Sequence, residues 1–523
     1  MISRTGKSFD VIIITGEYYD DHPLSPAGVI ARVLDAKGYN AGIIEKPACE
    51  ADYRKLGLPA LCFCVTSGSI DSMLNNYTPL KKSRISDKFS KVHGMPDRAV
   101  IVYCNGLRRY FKNAVIVIGG VEASLRRFAH YDYWDNGLRR SILLDSRADL
   151  LVYGNGEKQV IEVAGRLKAG KGLKNIRGTC IVSKEVPDDF KPLPSWEEVS
   201  ADSSKFCEMQ ARFSSYENLA QKYSGNYVLQ YKYPEYSTAD LDWIYSLGFT
   251  RKLHPGSLLG MAKFSVVTHR GCIGNCNFCS LALHQGNRVI SRSEESIIEE
   301  ITSISGHPEF KGYIDDLGGP SANMYGMDCR RADCPGKCIL CKKLDLSHGR
   351  LITLLEKARK VKGVKKVFVR TGIRHDLAMN SKKYLKEIFE HHVSGCLKVA
   401  PEHLSGEVLS LMNKNNESFM EFNEYFISQN EKRKQYLKYY FMIGHPGDDM
   451  ESVKSMGSEL RKRKITGIEQ FQLFTPTPMT VSTCMYWTET NPFTMEKVKV
   501  VKDFRTKKAL KRVLLGLLGG RKP

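Results

Sequence analysis

Nowhere in the 523 residues does an apolar run approach the roughly 18 residues of a membrane-spanning helix, and residues 1–10 lack the apolar core of a secretory leader. Both absences predict a cytoplasmic protein without a membrane partner. Long repeats and low-complexity segments are also missing, which removes solenoids and fibrous arrays. Acidic residues are scarce: 57 Asp and Glu stand against 78 Lys and Arg, a net charge of +21. Such a surplus attracts polyanions such as RNA, yet no arginine-rich arm concentrates it, so charge alone leaves a nucleic-acid partner open. What is present suits a globular chain. With 42% hydrophobic and 26% charged residues and a mean hydropathy of -0.31, disorder and collagen are excluded. The length allows about three domains.

The first third alternates short β-branched runs with amphipathic helices. Residues 10–15 (DVIIIT), 41–45, 61–66 (LCFCVT), 114–118 (AVIVI) and 149–153 (DLLVY) read as buried strands, and 24–37 as a helix stopped by Gly38. Five strands with helical crossovers predict a doubly wound, Rossmann-like α/β domain over 1–170, with function gathered at the strand carboxyl ends. The Pro-, Ser- and Tyr-rich stretch 171–260 is too aromatic for a flexible tether and reads as a packed connector. Six further βα units are predicted over 261–490, with strands at 264–269, 312–317, 366–371, 396–400, 439–444 and 469–474 and helices at 293–304, 351–360 and 382–390. Without a seventh or eighth unit this is a partial (βα)6 barrel of the TIM type, whose loops after each strand line the active site. A basic tail, 491–523, is expected to end in a helix at 507–518.

Seven of the fifteen cysteines fall between Cys272 and Cys341. Crowding of this kind points to metal ligation in a reducing compartment and away from a disulfide scaffold. Cys272-x3-Cys276-x2-Cys279 directly follows the first predicted barrel strand. Soft thiolates select iron–sulfur clusters and zinc. A zinc knuckle wants a fourth ligand in its own loop. Three thiolates round a cubane instead leave one iron open, able to chelate the amino and carboxylate groups of S-adenosyl-L-methionine and pass an electron to its sulfonium. A second set, Cys329-x4-Cys334-x3-Cys338-x2-Cys341, lies in a Cys-rich insertion at 326–345. Zinc, a further cluster and free thiols all satisfy its spacing.

The motifs around the triplet carry a resemblance. Residues 291–297 (SRSEESI), 316–325 (DLGGPSANMY), 398–403 (KVAPEH), 443–447 (IGHPG), 474–478 (FTPTP), 119–124 (GGVEAS) and 130–134 (HYDYW) resemble the YgiQ family of radical S-adenosylmethionine (SAM) proteins, over about 10–502. The resemblance implies Cys272, Cys276 and Cys279 as ligands of a [4Fe-4S] cluster and Phe278 against the adenine of SAM. It implies Gly318 and Gly319 near the methionine end, where the superfamily has a Gly-Glu element and this chain has no Glu, and Glu402 and His403 near the ribose or the substrate. The implied activity is reductive cleavage of SAM to methionine and a 5′-deoxyadenosyl radical acting on an unidentified substrate. A one-electron donor such as flavodoxin or ferredoxin would supply the electron. RNA is a candidate substrate because 474–485 is similar to the exit segment of methylthiotransferases. A doubly wound domain ahead of such a barrel also resembles the cobalamin-binding fold. Asp20-Asp21-His22 supplies the Asp and axial His of its D-x-H-x-x-G segment and Gly119-Gly120 its glycine pair, but Ser25 replaces the final glycine, which argues against cobalamin. Two other classes stay open: a noncatalytic iron–sulfur protein that binds RNA or carries electrons, and a zinc-stapled interaction protein.

Overall fold

Five short aliphatic runs form the parallel heart of one large sheet. The structure, a computed structural model, describes residues 8–84, 94–329, 338–430 and 433–519. Val11–Thr15, buried along its whole length, pairs in parallel with Ala41–Glu45 on one side and Cys62–Thr66 on the other. Ile116–Ile118 and Leu150–Val152 continue the parallel run. Strands buried on both faces must be continuously apolar, which is why these read as runs and not as alternations. The helix Pro26–Ala36 starts on Ser25, whose Oγ accepts from the Gly28 N–H, and Gly38 turns the chain out with φ +78°.

The stretch 171–260 does more than connect. Thr179–Ser183 pairs antiparallel with Leu150–Val152, and Asn226–Gln230, Leu219–Tyr223 and Lys191–Leu193 follow in spatial order, so that the sheet has nine strands. Its tyrosines explain the composition: Tyr231, Tyr236 and Tyr245 are buried against Val11, Ile13 and Leu150 on one face of the sheet.

In the second half the parallel pairings follow chain order. Val266–Val267 pairs with Leu317–Gly318, Tyr313–Ile314 with Lys366–Val367, Ile373 bridges to Val399, and Cys396–Glu402, Tyr436–Ile443 and Ile468–Leu473 lie side by side. The helices Glu294–Ser305, Gly349–Lys360 and Lys382–Glu387 stand between them, the first capped by Ser293. One core, with Ile314, Leu354, Val399 and Phe441 among its members, fills this half. The tail helix Phe504–Leu517 packs against Met450–Lys462, where Gly457 leaves room for Leu514 and Leu517. Among the described residues no helix is long and apolar enough to cross a membrane.

Asp20, Asp21 and His22 hold the segment 250–263 that leads into the second half. Asp20 accepts from the His254 N–H (2.8 Å) and Ser257 Oγ (2.6 Å). Asp21 pairs with Arg32 and accepts from Thr250 Oγ1 (2.7 Å). His22 accepts the Leu24 N–H at Nδ1 (3.1 Å), so its Nε2–H donates to the Lys263 carbonyl (2.9 Å). The ring is fully buried, and burial, aided by the nearby Arg251 guanidinium, pushes its pKa down to about 3.

Five more buried histidines share this property: burial holds His130, His269, His348 and His375 near pKa 4 and His445 near 3. The unfolded chain takes up these protons near pH 6.5, whereas the fold refuses them until much lower pH. More protons are bound by the unfolded state in that window, so stability falls as the medium is acidified. Urea midpoints are expected to drop steeply between about pH 6.5 and pH 4, and His22→Gln should flatten that slope by about 1.4 kcal/mol per pH unit.

Candidate metal and cofactor site

The loop 271–279 leaves the strand end at His269–Arg270. Gly271 has φ +80°, and a Cβ there would run into the Arg288 carbonyl, so glycine is required at the turn. The Cys272 N–H donates to Gly286 O (3.1 Å) and the Cys279 N–H to Cys276 O (3.0 Å). Remote segments pin the rest. The Asn277 N–H and Nδ2 donate to Met412 O and Leu411 O (both 2.9 Å), Asn413 Nδ2 donates to Asn275 O (2.8 Å), and the Ser482 N–H donates to Asn277 O (3.0 Å). All three thiols are half-buried. Burial raises the pKa of Cys272 and pushes that of Cys279 up to about 12, so ligation here must release protons.

Among the described residues no three His, Cys, Asp or Glu side chains converge on a single metal ion. Zinc therefore gains no support at the triplet. Nor does a second metal at Cys329, Cys338 and Cys341; Cys334 lies outside the described residues. A cubane makes a different demand, because each thiolate binds its own iron and the sulfurs need not meet at one point.

Sequence reasoning missed the cation that faces this loop. Arg374 Nη1 donates toward Cys276 Sγ at 3.6 Å, while its Nε and Nη2 donate to the two carboxylate oxygens of Asp376 (3.0 and 2.5 Å). Asn323 grips the Arg374 backbone from the side: Oδ1 accepts its N–H (2.8 Å) and Nδ2 donates to its carbonyl (3.0 Å). Gly274 is cut to fit, since a Cβ there would overlap Nη1. Lys414, half-buried, stands 4.0 Å from Glu402. Burial raises the Glu402 carboxyl against the pull of Lys414 and Arg374, and its backbone sits at φ +67°, a strained conformation for a side-chain-bearing residue. The only sequence trace of this group was Arg-His-Asp after the third strand, which has no spacing signature.

The residues singled out by resemblance are distributed as follows. Phe278 meets His445 edge to face at 6.2 Å, and His445 bonds Ser482 Oγ through Nε2 (2.6 Å). Gly318 lies in the strand paired with Val267, and a Cβ on Gly319 would come within 2.6 Å of the His269 ring. Glu402 faces Lys414. His403 is turned into the protein: Nδ1 accepts the Ser405 N–H (3.0 Å), and Nε2 lies 3.3 Å from Asp448.

A cavity of about 720 Å³ opens between the two halves. Its sheet side is the carboxyl edge at Val117–Gly120 and 154–157 with the first turn of the helix Pro26–Ala36; its far side includes Val266, His269, Gly318, Gly319, Thr371 and Lys398. The sheet side is largely aliphatic. Glu157, on its rim, is neutralised by Arg270 at 2.6 Å.

Comparison with known proteins gives this arrangement its class. The model of the radical SAM N-terminal family matches residues 1–265, and a domain of unknown function, DUF3362, matches 469–517. A radical SAM methyltransferase, TsrM from Kitasatospora setae, with cobalamin and a [4Fe-4S] cluster bound, has a similar α/β fold: TM-score 0.53 at 15% identity, covering 91% of this chain and 77% of that one. The protein is thus a radical SAM enzyme of open substrate, and that class implies a [4Fe-4S] cluster and SAM as cofactors. At the level of family, the UPF0313 protein of Methanocella arvoryzae is 42% identical over 97% of this chain and 90% of its own length. That of Fusobacterium nucleatum is 42% identical over 97% and 96%. The chain belongs to the UPF0313 family.

Asn323 supports the site without touching a thiol. Asn323→Ala leaves the buried Arg374 N–H unpaired, while the Arg374 carbonyl keeps the Ala378 N–H (3.0 Å), and is expected to cost about 2 kcal/mol, read as a lower denaturation midpoint. Asn380→Ala, whose bonds are partly solvent-facing, should cost less than about 1 kcal/mol.

Proposed function

We propose that Cys272, Cys276 and Cys279 hold the [4Fe-4S] cluster and that the second half works as a partial (βα)6 barrel over 261–490 behind a Rossmann-like domain at 1–170. The observation that carries this reading is the three-thiol loop that follows Val266–Val267 and His269–Arg270 and is pinned by remote segments. The chain-order pairing of the strands that follow supports the barrel. When bound, the cluster supplies one electron to the sulfonium of SAM, which breaks to methionine and a 5′-deoxyadenosyl radical. The chain's own part is to bind and shield. Glu402, with Lys414 beside it, faces the ribose or the substrate, Gly318 and Gly319 let the methionine end of SAM come close, and Phe278 covers the adenine. Their buried or half-buried positions limit the access of water to a radical that would attack any stray hydrogen donor. A flavodoxin- or ferredoxin-type donor supplies the electron.

Anaerobic reconstitution with iron and sulfide, then dithionite and SAM, should yield 5′-deoxyadenosine by chromatography, and Cys276→Ala should reduce it to background. An intact, reduced cluster that yields none would favour the noncatalytic alternative. Yield that survives Cys276→Ala would move the chemistry to another loop.

The cavity favours a second cofactor. Doubly wound sheets bind cofactors at their strand carboxyl ends, and TsrM, alike in fold, carries cobalamin. The sequence argument against cobalamin rested on Ser25, and Ser25 has a local duty as the N-cap of Pro26–Ala36. We read the cavity as a cobalamin site in which His22 takes no part, because both its ring nitrogens are engaged within the protein. Aquacobalamin is expected to co-elute with the purified chain on gel filtration, with a visible spectrum that His22→Ala leaves unchanged. Failure to co-elute would leave the cavity to the substrate.

A further inference from the structure

We propose that Arg374 sets the reduction potential at the Cys272, Cys276 and Cys279 site by donating an N–H to the Cys276 sulfur, with Asp376 as the counter-charge that limits how much of its cation the site feels. This rests on the reading of that loop as the cluster site.

The guanidinium has two usable edges. One is taken by the Asp376 carboxylate through Nε and Nη2 (3.0 and 2.5 Å). The other presents Nη1 to Cys276 Sγ at 3.6 Å. The side chain is buried, so solvent and salt screen the contact little. The loop also leaves room for the cation: a Cβ on Gly274, midway between the first two cysteines, would overlap Nη1 and stand 3.3 Å from Cys272 Sγ, so a larger residue there would displace the guanidinium from its present place. Asn323 fixes the Arg374 backbone at both its N–H and its carbonyl. A guanidinium that served only as a partner for Asp376 would not need an edge aimed at sulfur.

The physical consequence has a sign. One-electron reduction adds a negative charge to a thiolate-ligated cluster, and hydrogen bonds to its sulfurs and nearby positive charge favour the reduced form. Arg374 therefore raises the potential and Asp376 lowers it. The two act through one side chain but in opposite directions.

The test is a potentiometric titration of the reconstituted full-length protein, followed by the EPR signal of the reduced cluster, for the wild type, Arg374→Gln and Asp376→Asn. Arg374→Gln is expected to shift the midpoint downward, so that at the wild-type midpoint the ratio of reduced to oxidised cluster falls roughly tenfold, about 59 mV for a one-electron couple. Asp376→Asn is expected to shift it upward. Unmoved midpoints in both variants, with full iron and sulfide content, would overturn the proposal. Should Arg374→Gln fail to retain a cluster, Asp376→Asn and Arg374→Lys decide: an upward shift in the first with a smaller downward shift in the second supports the assignment, and no shift in either overturns it. A wild-type chain that takes up no cluster overturns this inference together with the cluster reading, whereas a wild-type cluster with unmoved variant potentials overturns this inference alone.

Discussion

Three thiols must be kept side by side in a nine-residue loop that has no regular structure of its own, and much of the second half is arranged to meet that demand. The loop has few bonds to itself. Its backbone is held by Gly286 behind it, by Met412, Leu411 and Asn413 beside it, and by Ser482 from beyond the last strand. Segments this far apart in sequence can meet only if the parallel strands are already in register. The placing of the three thiols is thus a product of the whole half-molecule, and their half-buried position lets nearby charge matter more than it would in water.

The same logic joins the two halves. Asp20, Asp21 and His22 hold the segment that enters the first strand of the second half, and Glu300 accepts from both Arg251 and Arg292 just beyond it. Buried ion pairs of this type contribute less to stability than to fixing one arrangement among several. The cavity lies between sheet edge and strand ends. A cofactor or substrate bound there would reach both the glycine-lined edge at Gly119-Gly120 and the strand ends at Gly318-Gly319.

Much of this was legible beforehand, for physical reasons. Runs such as VIIIT and CFCVT are strands buried on both faces and carry no competing helical period. Ser25 and Ser293 begin helices because a short hydroxyl satisfies an otherwise unpaired N–H. The placing of Cys272, Cys276 and Cys279 together in one loop was legible because their spacing is local information. Less local features were hidden. Thr179–Ser183 and Asn226–Gln230 sit in Pro- and Tyr-rich surroundings, and their place in the large sheet is a tertiary fact. His22 stands at the axial-His position of a D-x-H segment, and the replaced glycine already argued against cobalt ligation; what the sequence could not show is that its two ring bonds, one to a carbonyl 241 residues away, make it a joint. Arg374 escaped notice because nothing in Arg-His-Asp reveals that a guanidinium lies against a thiol 98 residues earlier in the chain.

The account stands on an iron–sulfur cluster with one iron left open at the 271–279 loop, and the most direct measurement is the EPR spectrum of the dithionite-reduced, reconstituted protein before and after SAM is added. Binding of SAM at an open iron should change the g-values and line shape of the signal. A spectrum indifferent to SAM, from a cluster already capped by a fourth side chain, would contradict it.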